Sequence, residues 1–128
     1  MKLLLDTCTF LWIVADDSML SERARTLFSK AENEVLLSAV SVWEIVVKHQ
    51  LGRLPLPSSP RAFVSGHRDR HGIAALPLEE EAIFQLPALP DRHKDPFDRM
   101  LVCQAIHHGL TLLTPDPLIH QYPVSHTW

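Results

Sequence analysis

The sequence predicts an α/β protein, with three α/β/α layers around a central, mostly parallel sheet of four or five strands. Two observations carry this. Short, largely apolar runs recur at Leu3–Leu5, Val35–Leu37, Ile73–Leu76 and Leu110–Leu113 and read as strands, the first as a central strand covered on both faces. Stretches of helical periodicity separate them, and such strand–helix alternation builds parallel sheets. At 128 residues, 46% apolar and 21% charged, the chain is expected to form one domain, residues 1–128, with a substantial core.

The elements follow in order. Leu3-Leu4-Leu5 reads as a central strand with Asp6 at its end. Thr9 to Val14 reads as a helix with Phe10, Leu11 and Trp12 as bulk. Ser21 and Glu22 open a second helix, with Ala24, Leu27, Phe28 and Ala31 on one face. Val35-Leu36-Leu37 is the second strand, ended by Ser38. Ser41 is expected to cap a third helix running to Gln50, with Gly52 as its stop. That helix holds Val42-Trp43-Glu44-Ile45-Val46-Val47, apolar nearly all round, so burial is expected. Three prolines make 54–60 a loop, and 61–70 is a helix candidate rich in Arg and His. A third strand, a short helix opening on Glu79-Glu80-Glu81 and a break at 86–90 come next. Asp95-Pro96 reads as an N-cap followed by a first residue that needs no amide hydrogen. The helix it opens ends near Gly109. A fourth strand closes at Thr114-Pro115-Asp116-Pro117, a short helix follows, and residues 124–128 are the candidate fifth, edge strand.

Composition excludes some classes. With 12 basic and 15 acidic residues the net charge is −3, so no basic bulk advertises nucleic acid. Clustered carboxylates that hold metal can mask a locally positive rim, however. Cys8 and Cys103 lie beside apolar runs without metal spacing and read as free, buried thiols in a reducing compartment. The first six residues break too early for a signal peptide, and no apolar run reaches membrane-spanning length. A cytoplasmic location is expected.

The chemistry lies in the carboxylates. Asp6 and Asp116 follow predicted strands. Glu44 falls in the first turn of the helix after the second strand, and Asp98 in the first turn of the helix leading to the fourth. Asp98 shares a stripe with Val102 and Ala105, so it faces the interior more than open water. A doubly wound sheet opens all four positions onto the edge where its ligands bind. Each has a plainer alternative. Asp6, Asp95 and Asp116 can cap helices, Asp98 can complete a capping box with Asp95, and Glu44 can pair with Lys48 one turn on. Convergence of the four would cost roughly 3–4 kcal/mol per pair at ~4–5 Å and an effective dielectric near ~20, unless protons or a cation offset it. Oxygen donors without Cys or His favour Mg²⁺ or Mn²⁺, and the matching chemistry is phosphodiester hydrolysis by a metal-activated water.

Thr7, Ser38 and Ser41 are hydroxyls that could orient these acids or cap helices. Lys48, Arg53, His93, Lys94 and Arg99 could contact a nucleic-acid backbone or stand as solvated charges. The histidines have no metal-binding spacing. Trp12, Trp43 and Trp128 read as core and interface.

From Leu3 to Trp128 the chain resembles PIN-domain proteins, specifically the VapC-type toxin ribonucleases of prokaryotic toxin–antitoxin pairs. Four blocks carry the resemblance: Leu4-Leu5-Asp6-Thr7; Ser38 to Ile45 with Lys48 and Gly52; His93 to Arg99; and Leu112 to Asp116. The resemblance implies a PIN-like fold and a Mg²⁺- or Mn²⁺-dependent endoribonuclease, usually dimeric. It implies Asp6, Glu44, Asp98 and Asp116 as the acidic catalytic and metal-binding set, with Asp95 as an accessory acid. It also implies an antitoxin protein that covers the site. Cys8 stands where relatives often carry Asn or His, and Pro115 where a basic or amide residue is common.

Two other α/β classes place acids at strand ends. A phosphoacceptor receiver needs an acidic pair after the first strand, and a haloacid-dehalogenase-type phosphatase needs a second Asp two residues after the first. Here a single Asp6 follows the strand and Cys8 takes the second place, which disfavours both. The remaining alternative is a PIN-like module that binds RNA or protein without cutting.

Overall fold

A computed structural model describes residues 1–128. Five strands, β1 (Lys2–Leu5), β2 (Glu34–Ser38), β3 (Ala74–Leu76), β4 (Thr111–Leu113) and β5 (His126–Thr127), form one sheet in the order β3-β2-β1-β4-β5. Every pairing is parallel. Six α-helices connect and cover the strands: α1 (Thr7–Ala15), α2 (Glu22–Ser29), α3 (Ala39–Gln50), α4 (Pro60–His71), α5 (Glu80–Ile83) and α6 (Pro96–His108). The expected α/β/α layering is present.

Strand alternation divides the core. Leu3, Leu5, Val35, Leu37 and Leu113 point to one face, where Phe10 of α1, Leu27 of α2, Ile45 of α3 and Phe63 of α4 meet them. Leu4, Leu36 and Leu112 point to the other, against Leu101, Val102 and Ala105 of α6 and the ring of Tyr122. The β1 leucines are fully buried, each contributing about 1.5–3 kcal/mol relative to exposure. Helix α3 supplies Val40 to one cluster and Ile45 to the other, so it crosses the end of the sheet.

Helix starts differ from expectation at two places, both for reasons of capping. Asp6 is the N-cap of α1, its carboxylate accepting from Thr9 N, so the helix begins at Thr7, two residues early. Ser38, not Ser41, caps α3: its hydroxyl accepts from Val40 N at 2.9 Å in an extended backbone. Strand β2 therefore runs into α3 without a loop. Ser41 lies inside the helix with a buried hydroxyl that has no partner. Glu44 becomes the sixth helical residue, in the second turn and not the first. The expected burial of α3 is also only half met, because Trp43 is 57% exposed. Asp95 caps α6 as predicted, accepting from Phe97 N at 2.9 Å and Asp98 N at 3.1 Å.

Gln104, fully buried on α6, accepts from the Ser38 hydroxyl and donates to the Pro77 carbonyl at 3.2 Å. It locks α6 to the start of α3 and to the chain leaving β3. Both cysteines are free, Cys103 buried and Cys8 half-buried. No helix is long and apolar enough to cross a membrane.

Candidate active site

Parallel strands send all their carboxyl ends to one edge. The strand order changes direction at β1, which pairs with β2 on one side and β4 on the other. Ligands of open α/β sheets bind at such a point, and here a cleft of about 380 Å³ opens. Asp6, Glu44, Asp95, Asp98 and Asp116 all line it, with Lys48 and Arg53 as its cations.

Register places Asp6. Leu5 pairs with Leu113, so the next residues, Asp6 and Thr114, are neighbours across the β1–β4 junction. Thr114 Oγ1 donates to Asp6 Oδ2. The other oxygen accepts from Thr9 N at 2.8 Å and from Cys8 Sγ at 3.3 Å. Thr114 Oγ1 also accepts from Asp116 N at 3.1 Å, so one hydroxyl ties two acids together. Asp116 in turn accepts from Leu118 N at 2.9 Å, a turn contact two residues on; the short 3₁₀ helix Ile119–Gln121 that follows has Leu118 at its N-cap and no side-chain cap.

Glu44 is 5% exposed. Thr7 Oγ1 donates to its Oε1 at 2.5 Å, and Lys48 donates to its Oε2. The ammonium is held protonated above its ordinary range, first by that hydrogen bond. Burial of the carboxylate is thereby offset on both oxygens.

Asp98 is less fully supported. Its side chain is about one-fifth exposed and turns not toward Asp95 but toward His93, whose Nε2 lies 3.3 Å from Oδ2. Beyond it, His93 Nδ1 is 2.7 Å from the Tyr122 hydroxyl. That oxygen already accepts from Arg99 Nη1 at 3.0 Å and from His93 N at 3.3 Å. Donor counting therefore leaves the phenol proton for Nδ1 and assigns the imidazole proton to Nε2, facing Asp98. Burial, then the neighbouring Asp95 carboxylate, push Asp98 up to about 7; Glu44 and Asp116 add to the rise and the His93 contact opposes it. The cleft thus gathers more negative charge than its own cations neutralise.

Of the accessory residues, Thr7, Lys48 and Asp95 line the cleft. Ser41 does not, being buried within α3. Arg99 does not either. Its guanidinium Nη1 donates to the Pro90 carbonyl at 3.0 Å and to Tyr122, over whose ring the group lies, so in this structure it braces the Tyr122 side of the site. Three participants escaped the sequence reading: Thr114 and Tyr122 as supports of acids, and His93 as a partner of Asp98. His93 and Asp98 are five residues apart and could have been paired locally. Nothing local points to Tyr122.

The acids are hard oxygen donors without a thiolate or imidazole among them. Asp6, Glu44, Asp98 and Asp116 could therefore hold Mg²⁺ or Mn²⁺, whose charge would offset the carboxylates gathered there.

The PIN domain family model matches residues 3–124. Over 55 residues the chain is 34% identical to Ribonuclease VapC16 of Mycobacterium tuberculosis (strain ATCC 25618 / H37Rv). The match covers 43% of this chain and 39% of that protein, so it spans less than half the length of either. Among solved structures, the chain is similar to VapBC2 from Rickettsia felis bound to a DNA fragment from their promoter: TM-score 0.75, 13% identity, covering 99% of this chain and 98% of that one. It is also similar to DNA-bound VapBC from Salmonella typhimurium: TM-score 0.69, 19% identity, covering 99% and 97%. At these identities the likeness to the solved structures is one of fold.

Proposed function

This chain belongs to the PIN-domain family, and on that premise we propose that it is a Mg²⁺- or Mn²⁺-dependent endoribonuclease, the toxin of a toxin–antitoxin pair. The observation that carries the reading is the convergence of Asp6, Glu44, Asp98 and Asp116 on one cleft at the point where the strand order turns. These four are the catalytic and metal-holding residues of the proposal, with Asp95 in support. The name of the M. tuberculosis relative, a ribonuclease, agrees with it.

A divalent ion bound there would supply positive charge at the scissile phosphate and an activated water for hydrolysis of the phosphodiester bond. The chain's own residues do the positioning. Thr7 and Lys48 fix both oxygens of Glu44, while Thr114 and the Thr9 amide fix Asp6. His93 aims Asp98 and, with its proton on Nε2, tempers that carboxylate's charge. Lys48 and Arg53 are the cations on the cleft wall and the candidates for contact with RNA phosphates.

The partners proposed are RNA as substrate, an antitoxin protein that covers the acidic cleft, and a second copy of this chain. The fold likeness to VapBC chains supports the antitoxin. A cytoplasmic place of action goes with that assignment.

Cleavage of single-stranded RNA is the test, run with Mg²⁺ or Mn²⁺, with and without EDTA, on the native chain and on Asp98→Asn. Cutting that needs metal and is lost in Asp98→Asn is expected. Equal cutting by both proteins would sink the proposal, and RNA binding without metal-dependent cutting would identify a binding module instead.

A further inference from the structure

A second cluster of metal-ligating side chains lies away from the acidic cleft. Glu79, His107 and His108 each offer a ligand atom within 4.8 Å of the others. The two histidines are the last residues of α6, and Glu79 is the residue before α5. None of the three lines the cleft.

Ordinary structural roles leave this cluster unexplained. Glu79 occupies the N-cap position of α5, yet its side chain makes no capping hydrogen bond. Its Oε2 lies 3.9 Å from His107 Nε2 instead. His108 Nε2 is buried with no hydrogen-bond partner, although a buried polar nitrogen normally has one. The rings of His107 and His108 stand nearly edge to face, with centroids 4.7 Å apart. The carbonyl end of α6 favours a cation here as well.

We propose that Glu79, His107 and His108 form a zinc site separate from the acidic cleft. Two imidazoles and one carboxylate are zinc donors, whereas Mg²⁺ takes oxygen alone. Tetrahedral ligands about 2.0–2.1 Å from zinc stand roughly 3.4 Å apart, so ligand atoms already within 4.8 Å of one another would draw together on binding, chiefly by movement of the exposed Glu79 and His107. Three protein ligands leave the fourth position to water. The chain would then carry two ion sites of different chemistry, all-oxygen at one end of α6 and nitrogen-rich at the other.

Zinc affinity of the full chain, measured by chelator competition in excess Mg²⁺, tests this. One zinc per chain is expected, with affinity unchanged in Asp98→Asn and lowered at least about tenfold in His107→Ala and in Glu79→Gln. A zinc-induced rise in melting temperature should disappear in the same two variants. Glu79 and His107 are exposed, so both should fold. Either variant binding zinc as the native chain does would overturn the site, as would absence of binding at micromolar zinc. Loss of zinc binding in Asp98→Asn would assign the ion to the cleft instead.

Discussion

Thr7 Oγ1 donates to Glu44 Oε1 at 2.5 Å across 37 residues of sequence, joining the first turn of α1 to the second turn of α3. Both residues are buried, and the bond fixes one oxygen of Glu44, which with Asp6 is one of the two most enclosed acids in the cleft. Thr7→Val keeps the shape and removes the donor. It should cost about 1–2 kcal/mol in urea unfolding and lower RNA cleavage roughly 10–100-fold, the range seen when a support of a metal ligand is lost. Thr7→Ser should restore most of both. Unchanged cleavage in the valine variant would remove Thr7 from the site.

Asp98 makes stability depend on pH in a stated direction. Its carboxyl is pushed up from the ordinary 3.8 to about 7, so between those values the folded chain holds a proton that the unfolded chain has released. Stability from this group therefore falls as pH rises from about 4 to about 7. In EDTA, Asp98→Asn should be more stable than the native chain at pH 8, by on the order of 1–2 kcal/mol once partial exposure is discounted. The two should converge near pH 4, and saturating Mn²⁺ should reverse their order at pH 8. Parallel melting curves in EDTA across that range would contradict the assignment.

Asp95 has two separable effects, a cap and a charge. Asn caps a helix as well as Asp does, so Asp95→Asn should keep α6 intact while lowering the pKa of Asp98, whose second-largest perturbation is the Asp95 carboxylate. The pH dependence of stability in EDTA should flatten. Asp95→Ala should flatten it too, but at a further cost of about 1 kcal/mol for the lost cap.

Tyr122→Phe leaves the packed ring and deletes the hydroxyl shared by His93 and Arg99. A loss of about 1–3 kcal/mol is expected, since the groups it served stay partly buried. The tautomer of His93 is freed at the same time, so RNA cleavage should fall several-fold with a changed acid limb in its pH profile. A stability loss without that change would leave Tyr122 as a structural residue alone.

Cys8 lines the cleft, but its thiol is pushed far above its ordinary range, first by burial and then by Asp6. Alkylation by iodoacetamide should be much slower in the native chain than in urea, because the thiolate is the nucleophile. Native-state labelling as fast as that of a free thiol would contradict this.

The sequence by itself determined the sheet, the helices and the identity of the acids. Short apolar runs bounded by turn residues became the strands, buried in β1, β2 and β4 though exposed in β3 at the sheet edge, and Asp95-Pro96 can hardly be anything but a helix start. The same local logic placed Asp6, Glu44, Asp98 and Asp116 near strand ends. Capping misled it at Ser41, because Ser38 already satisfied the helix from the last residue of the strand. Periodicity misled it at Trp43, because an apolar residue can still stand on an exposed face.

Only the tertiary structure decided what holds each acid. Thr114 reaches Asp6 because the β1–β4 register sets residues 108 apart side by side. Tyr122 and His93 meet across 29, and Arg99 turns inward to that same hydroxyl. Glu79 reaches His107 between two helix ends, where sequence spacing suggested no histidine site. Residue type and local period follow from chain connectivity alone. Hydrogen-bond partners and unneutralised charge depend on which distant segments the packed core brings together, and that is where the ionisation of Asp98 is set.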